Sequence, residues 1–575
     1  MSTFSIPNSQ GQIRQSNSGD IFGELHETFN IDLTTNQGKI KTSNRLGKVL
    51  VEGTHIGTPA GFVDMLTWGS YYYILTEDSG YRCSVLDDPT NSSNWASSVA
   101  THDSDLSSTA VIFDGQMRIS TNTDISRWNG GGSYATDWWT SDESGDALTT
   151  SVPHVMEVVQ SQKETLYVTD GAQVQYLEKG STTKVVELDS NVIASCLASG
   201  LSGAMWVGTY NETNGNAYVY EIYTGEVTGS TPTYRQAYPI NAQAVLAIWM
   251  KDNNPHILTE KGEIQAFNGA GFITIEEFPI RFDSKTLEGV QSGQIQSSNR
   301  SRPVHPRGVR THEDSVFFNI NLNSEEDEYS VNTRAHSGIW EYNYVTQVLN
   351  HRFSPAHQTT DYGSSKTNFG YPLMIVDNQY TFLMSGGFDS VNSLDNVYMT
   401  ISGTPQSWFV TKEISSGTVA DAYEAVYHKA KTLAVGEEIV TQYRTSKRDT
   451  VYATANWLTT TSFTTTTDVS AIQDGELIRV SHGYASGDYC NVVSITSSAT
   501  TWTVTVDRAI GAVGEVSYIY SDNYIKSAAP YTSEQGEYQK LGGFGVNPWI
   551  QFLVILKGNI EYRQFISKGN SKTEL

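Results

Sequence analysis

Carboxylates, a histidine–arginine cluster and paired tryptophans carry the reactive groups of this chain, and their spacing limits what each can do. Asp87/Asp88 and Asp103/Asp105 sit in loops beside Pro, Asn and Ser. Glycoside cleavage needs two carboxyls facing each other across ~5–9 Å, which adjacency along the chain does not provide. They read as solvated turn residues. The stretch "SRPVHPRGVRTH" (301–312) gathers His305, His312 and the arginines Arg302, Arg307 and Arg310. It could bind an anion or an acidic neighbouring subunit, but a basic inter-blade loop pairing with this acidic chain is the favoured role. "NLNSEEDEYS" (321–330) offers oxygen ligands to a divalent cation, yet it lacks the glycine and closing glutamate of a calcium loop. Exposed charge is the better reading. Trp138 and Trp139, in "GGGSYATDWWTSDESGD" (130–146), could stack on sugar rings or pack between blades.

No nucleophile elbow, P-loop, zinc-protease helix or dinucleotide fingerprint is present. The turn "TEDSGYRC" (76–83) resembles the Asp box of sialidase propellers, with Cys83 where that motif has tryptophan. The motif is structural even when complete. No catalytic residue, metal ligand or cofactor is therefore assigned. Cys83, Cys196 and Cys490 are odd in number and far apart, without the spacing of a disulfide framework or zinc site. Free thiols fit folding in a reducing cytoplasm. The formal net charge of −25 repels phosphate backbones, which disfavours a sequence-independent nucleic-acid binder but suits a conduit past which nucleic acid slides. The N-terminus lacks a charged and then apolar leader, and no apolar run approaches the ~18 residues of a span, so a soluble product without membrane insertion is expected.

The elements that must position these residues are strands. Thr, Val, Ile and Tyr are frequent, helical periods are scarce, and 48 glycines supply turns, so an all-β fold is expected. "YYILTEDSGYRCSVL" (72–86), "LYVTDGAQVQYL" (166–177) and "HILTEKGEIQAF" (256–267) repeat one plan: an apolar strand, Thr, a short turn and an alternating strand. "VIFDGQMRIST" (111–121) is a shorter variant, and longer ones follow at 204–223, 315–344 and 380–402. About seven such units lie between 61 and 402 at spacings of roughly 40 to 60 residues, the period of a β-propeller. Leu86, Trp128, Leu177, Tyr223, Phe267 and Tyr344 are expected between blades. A two-sheet sandwich competes for this region but accommodates too few hairpins. Residues 403–464 and 523–575 then read as a β-sandwich, with a small β-barrel inserted at 465–522. "TTTSFTTTT" (459–467) reads as a solvated strand or link.

Residues 1–60 form an extended N-terminal arm. Within it "DIFGELHETFNIDLTTNQGKIKTSNRL" (20–46) alternates Phe29, Ile31 and Leu33, turns at Gly38 and returns. A hairpin of that size needs a docking surface. Phe22, Leu25, Phe29, Ile31, Leu33, Lys39, Lys41 and Arg45 are the candidate assembly residues, docking either on the chain's own propeller, where they could supply the strand that closes its ring, or on a neighbouring subunit.

The polar arm ending "GKIKTSNRL", the hairpins through 402 and the final "WIQFLVILKGNIEYRQFIS" (549–567) follow one another in an order that resembles the nozzle proteins of short-tailed bacteriophages. Those tail proteins combine a propeller-like region with β-sandwich platform elements. The resemblance implies a non-enzymatic virion protein made in the host cytoplasm. It further implies a ring, usually six-fold, joined to other tail proteins such as an adaptor ring, which lines or gates the DNA exit path without binding DNA specifically. The alternatives are a glycan-binding or glycan-cleaving propeller using Trp138, Trp139 and loop carboxylates, and a host-receptor-binding tail tip. On the assembly reading, a chain lacking residues 1–46 is expected to fold its propeller and fail to join a ring.

Overall fold

The computed structural model is built almost wholly of antiparallel strands. It describes residues 2–5, 25–29, 31–33, 40–43 and 45–51 near the N-terminus. From 62 to 571 it describes all but 100–108, 224–233, 279–303, 321–337, 354–366, 414–420, 481–488, 527–537, 541–548 and shorter loops. Among the described residues helix is confined to the turns Ser92–Asn94 and Trp138–Ser141. None is long and apolar enough to cross a membrane. The chain divides into two compact units.

One unit comprises Lys48–Glu325 and Asn368–Met399. Its sheets are meanders of consecutive strands, as in Phe62–Trp68, Tyr71–Thr76, Gly80–Ser84 and Ala96–Val99. Four-stranded meanders follow at 110–135, 156–187, 192–240 and 245–277, then a four-stranded sheet of the same kind made of Val309–His312, Ser315–Ile320, Gly338–Asn343 and Val348–Phe353. The last sheet pairs Leu373–Asp377, Thr381–Asp389 and Leu394–Ile401, and takes its outer strand, Arg45–Val51, from the N-terminal region. The first strands of successive sheets, Phe62–Trp68, Ala110–Phe113, Met156–Gln160, Val192–Ser199, Val245–Lys251, Val309–His312 and Leu373–Asp377, each lie against the next. The last lies against the first. The unit is propeller-like.

Local chemistry explains the meander. Asp114 (φ 50) and Gly115 (φ 68) give both central residues of a two-residue turn the positive φ that matches strand twist. Asp252 (φ 50) and Asn253 (φ 62) do the same between Val245–Lys251 and Asn254–Thr259. The recurrent Thr closes strand ends: Thr76 Oγ1 donates to Ser79 O at 2.8 Å, and Thr169 Oγ1 accepts from Val155 N at 2.9 Å and donates to Pro153 O at 2.7 Å. Trp128 and Leu177 are buried as expected, whereas Leu86 is exposed, because it lies beyond the strand end in a turn. Tyr223 and Phe267 pack at the margin of a core, and Tyr344 is half-buried.

The other unit comprises Met1–Gly47, Glu326–Thr367 and Thr400–Leu575. One sheet runs in the order Ile31–Asp32, Ile40–Thr42, Glu561–Ser571, Asp421–Ala430, Tyr538–Lys540, with Ser2–Ser5 also pairing Glu561–Ser571. A second runs Leu25–Phe29, Gln406–Thr411, Gln551–Lys557, Glu438–Arg444, Ile525–Lys526. Gln551–Lys557 is buried on both faces: Phe552, Val554 and Leu556 enter one core with Ile31, Leu33, Ile40, Val426 and Ile439, and Leu553 and Ile555 enter another with Trp408 and Val440. That accounts for its unbroken apolar run.

A closed barrel follows Glu438–Arg444, ordered Val451–Thr459, Ser462–Thr465, Thr501–Val506, Tyr489–Ser498, Leu477–Val480, Val516–Ser521. It begins at 451 rather than 465, because Trp457 and Phe463 belong to its core. Within the run read as a solvated strand or link, Ser462–Thr465 is a barrel strand with Phe463 in the core. The inner ring of Trp457 lies on Gly511, where a Cβ would come within 2.0 Å of the indole. By packing, residues 48–51 of the expected arm group with the propeller-like unit and residues 326–367 with the other, where Val348 shares the core of Ile31, whereas by strand pairing Gly338–Asn343 and Val348–Phe353 share a sheet with Val309–His312 and Ser315–Ile320.

Candidate functional site: an ion network across the strand circuit

The strongest electrostatic constraint gathers on the first strands. In the apolar run "FVDMLTW", Asp64 is 1% exposed, and both its oxygens are held by backbone: Oδ1 accepts from Met65 N at 2.8 Å and Oδ2 from Ala110 N at 2.9 Å. Arg307, just before Val309–His312, brings Nε to 3.4 Å from Asp64 Oδ2 and donates from Nη1 to Glu157 Oε2 at 2.6 Å. Its Nη2 donates to Met156 O, and its carbonyl accepts from Leu373 N at 2.9 Å. Glu157 Oε1 accepts from Ser199 Oγ at 3.2 Å. Arg310 Nη2 stands 3.6 Å from Asp64 Oδ1.

In the circuit of first strands, Asp64, Glu157 and Arg307 belong to members that are not neighbours. One guanidinium therefore reaches across the middle and ties strands that their own sheets do not join. Burial pushes the Asp64 carboxyl above the ordinary carboxylate range, against the pull of Arg307, Arg310 and the two amides. Burial also works against the charge of Arg307, but Glu157 and then Asp64 outweigh it and hold the guanidinium protonated. Arg310 is shifted down, by burial first. Charges in such surroundings persist only when paired.

The cluster expected at 301–312 is thus divided. Arg307 and Arg310 pair with the chain's own acids, while Arg302 lies outside the described residues. His305 is buried and its Nδ1 accepts from Arg307 N at 3.0 Å, which fixes the approach to the strand. His312, half-buried, ends that strand. Asp64 and Glu157 were missed. The available signal was a lone acid inside an otherwise apolar first strand of two repeats.

Trp138 and Trp139 are corrected as glycan contacts: both are buried among Phe113, Leu148, Met156 and Leu166. Trp139 Nε1 donates to Gln175 Oε1 at 3.1 Å, and Arg118 stacks 4.0 Å from the ring centre of Trp138. Neither ring presents a face to a sugar. Asp87 and Asp88 are exposed, and Asp88 Oδ1 accepts from Thr90 N at 2.9 Å within its own turn. Asp103, Asp105 and the loop 321–330 lie outside the described residues. Among the described residues no group of three metal-ligating side chains is gathered.

The arm residues dock on their own chain. Ile31 and Leu33 are core residues, Ile31 O accepts from Asn350 Nδ2 at 2.6 Å, and Asp32 Oδ1 pairs with Arg352 at 2.7 Å. Lys41 is half-buried in the strand that pairs with Glu561–Ser571. Leu25–Phe29 pairs with Gln406–Thr411, and Arg45 opens the strand Arg45–Val51. Phe22 and Lys39, and the side chains of Leu25, Phe29 and Arg45, lie outside the described residues. Ile31 and Leu33 are consumed inside the fold, which corrects their expected availability to a neighbouring subunit.

No family model matches the chain, and no curated protein matches it. Among solved structures it is similar to the computationally designed Ika8 protein, at 11% identity over 61% of this chain and 99% of that one, TM-score 0.32. It is similar also to BBS1N in complex with ARL6DN, at 11% identity over 63% and 98% of the two chains, TM-score 0.37. Likenesses this loose carry no argument, and the propeller-like description rests on the strand pairing.

Proposed function

We propose that this protein is a non-enzymatic structural subunit of a bacteriophage tail, working as a nozzle or tail-tip ring on the DNA exit path. The propeller-like unit is read as seven blades, one for each first strand in the circuit, and the paired sheets of the other unit as a β-sandwich carrying the barrel. The observation that carries the reading is this composition of parts, which follows the plan of the short-tailed phage nozzle proteins. The ion network adds a constraint: Arg307 crosses the centre of the circuit, so a DNA passage is formed between subunits and not through one. A net charge of −25 suits a wall that DNA passes without sticking. Assembly is as a ring, six-fold by the resemblance, on other tail proteins and within a virion made in the host cytoplasm.

Purified protein is expected to form closed rings in negative-stain images, alone or with tail extract from the same phage. Monomers under both conditions, together with thermal stabilisation by sugars, would replace this reading with a glycan-binding propeller.

A further inference from the structure

The network at the centre of the strand circuit is unevenly satisfied, and the imbalance has a sign. Each of its carboxylate oxygens already holds a donor. Asp64 Oδ1 and Oδ2 each take a backbone N–H, and Glu157 Oε2 and Oε1 take Arg307 and Ser199. Arg307 is engaged at all three nitrogens, by Asp64, Glu157 and Met156 O. Arg310 is not. A guanidinium carries five N–H donors in a planar fork. Arg310 places Nη1 3.4 Å from Val309 O and Nη2 3.6 Å from Asp64, the first at the outer limit of a hydrogen bond and the second beyond it. The Arg310 side chain is 28% exposed, so solvent reaches it, while Asp64 beside it is 1% exposed.

We propose that Arg310 is the receptor of a small-oxyanion site at the centre of the circuit, taking a phosphate-like or carboxylate group from solution. The donor inventory disfavours a cation, because each carboxylate oxygen of the cluster already faces an N–H or O–H donor. It selects an acceptor, and the planar fork matches two oxygens on one centre. The two acids and two arginines sum to zero charge, so the site holds its ligand by directed hydrogen bonds more than by net attraction. Asp64 keeps the fork in place. The proposal concerns the propeller-like unit alone and stands whether or not the protein belongs to a virion.

The test uses the full chain and inorganic phosphate, titrated at constant ionic strength with chloride as the compensating salt, with binding read by calorimetry and by melting temperature. Wild type is expected to take up one saturable phosphate per chain, displaced by sulfate and by acetate. R310Q is expected to lose that binding, and R310K, which keeps the charge but not the fork, to weaken it on the order of tenfold. R127Q, at a half-exposed arginine paired with Asp142, is expected to bind like wild type. Absence of saturable binding in wild type overturns the proposal without any variant. So does unchanged affinity in R310Q or, if R310Q does not fold, in R310K.

Discussion

At the scale of single residues, burial decides reactivity. Cys83, Cys196 and Cys490 are all buried. Burial pushes the Cys83 thiol up to about 11, with Asp87 and Asp88 adding to it, so the nucleophilic thiolate is scarce at neutral pH. A thiol-reactive dye is expected to label none of the three quickly in the native protein and all three in guanidinium; rapid native labelling of Cys83 would contradict the burial. His256 gives a pH dependence. It stacks on Trp249, and burial lowers its pKa below the usual 6.5. The folded state thus resists a proton that the unfolded chain accepts, so stability is full above about 6.5 and declines as pH falls through the lowered folded value. H256Q should flatten that decline in urea midpoints measured from pH 7.5 downward. Arg307→Gln leaves Glu157 without its guanidinium and Asp64 with Arg310 alone, an expected loss of about 3 kcal/mol by the same assay. Legibility at this scale was uneven. The tryptophans of "DWWTSDESGD" looked available because their neighbours are polar. Trp139 is buried against Gly145, where an added Cβ would overlap the ring, and Trp138 is buried between Phe113 and Arg118.

Among elements, the barrel has a neck that one carboxylate holds together. Glu476 is fully buried and receives both terminal nitrogens of Arg448, Ser521 Oγ, Asn523 N and Gln473 N. These residues come from both strand connections between the barrel and the sheets, and Tyr489 and Leu477 pack beside Trp408 below them. R448Q leaves the buried carboxylate without its counter-charge, and should cost about 3–5 kcal/mol. Tryptophan emission from Trp457 and Trp502 is expected to report barrel opening at lower urea than in wild type; an unchanged midpoint would show that Glu476 is satisfied without Arg448. The hairpin repeat was legible in the sequence because each unit carries its own turn chemistry, as at Asp114-Gly115. The start of the barrel was not. A Thr-rich strand has no contrast between faces until Trp457 and Phe463 are known to point inward.

For the whole molecule, the decisive pairing joins the two ends of the chain. Ser2 lies opposite Gly569 and Ser5 opposite Ile566, while Ile40 lies opposite Tyr562. Ending the chain at residue 560 removes the strand that Ser2–Ser5, Ile40–Thr42 and Asp421–Ala430 share. Limited proteolysis is expected to degrade the two-sheet unit of that variant while sparing a fragment from within 62–320. Survival of both units would mean the terminal strand is dispensable. Deleting residues 1–46 likewise strips Ile31, Leu33 and Ile40 from a core, so that variant is expected to lose two-sheet stability whatever its effect on ring formation. Sequence reading named the arm, its alternation and its closing strand, yet could not choose its dock. Partners separated by almost the full length of the chain leave no local trace of one another.

The partnership of Ser2–Ser5 with Glu561–Ser571 also sets a clock. Ser2–Ser5 leaves the ribosome long before Glu561–Ser571, so that edge has no mate while the chain between the two is being made.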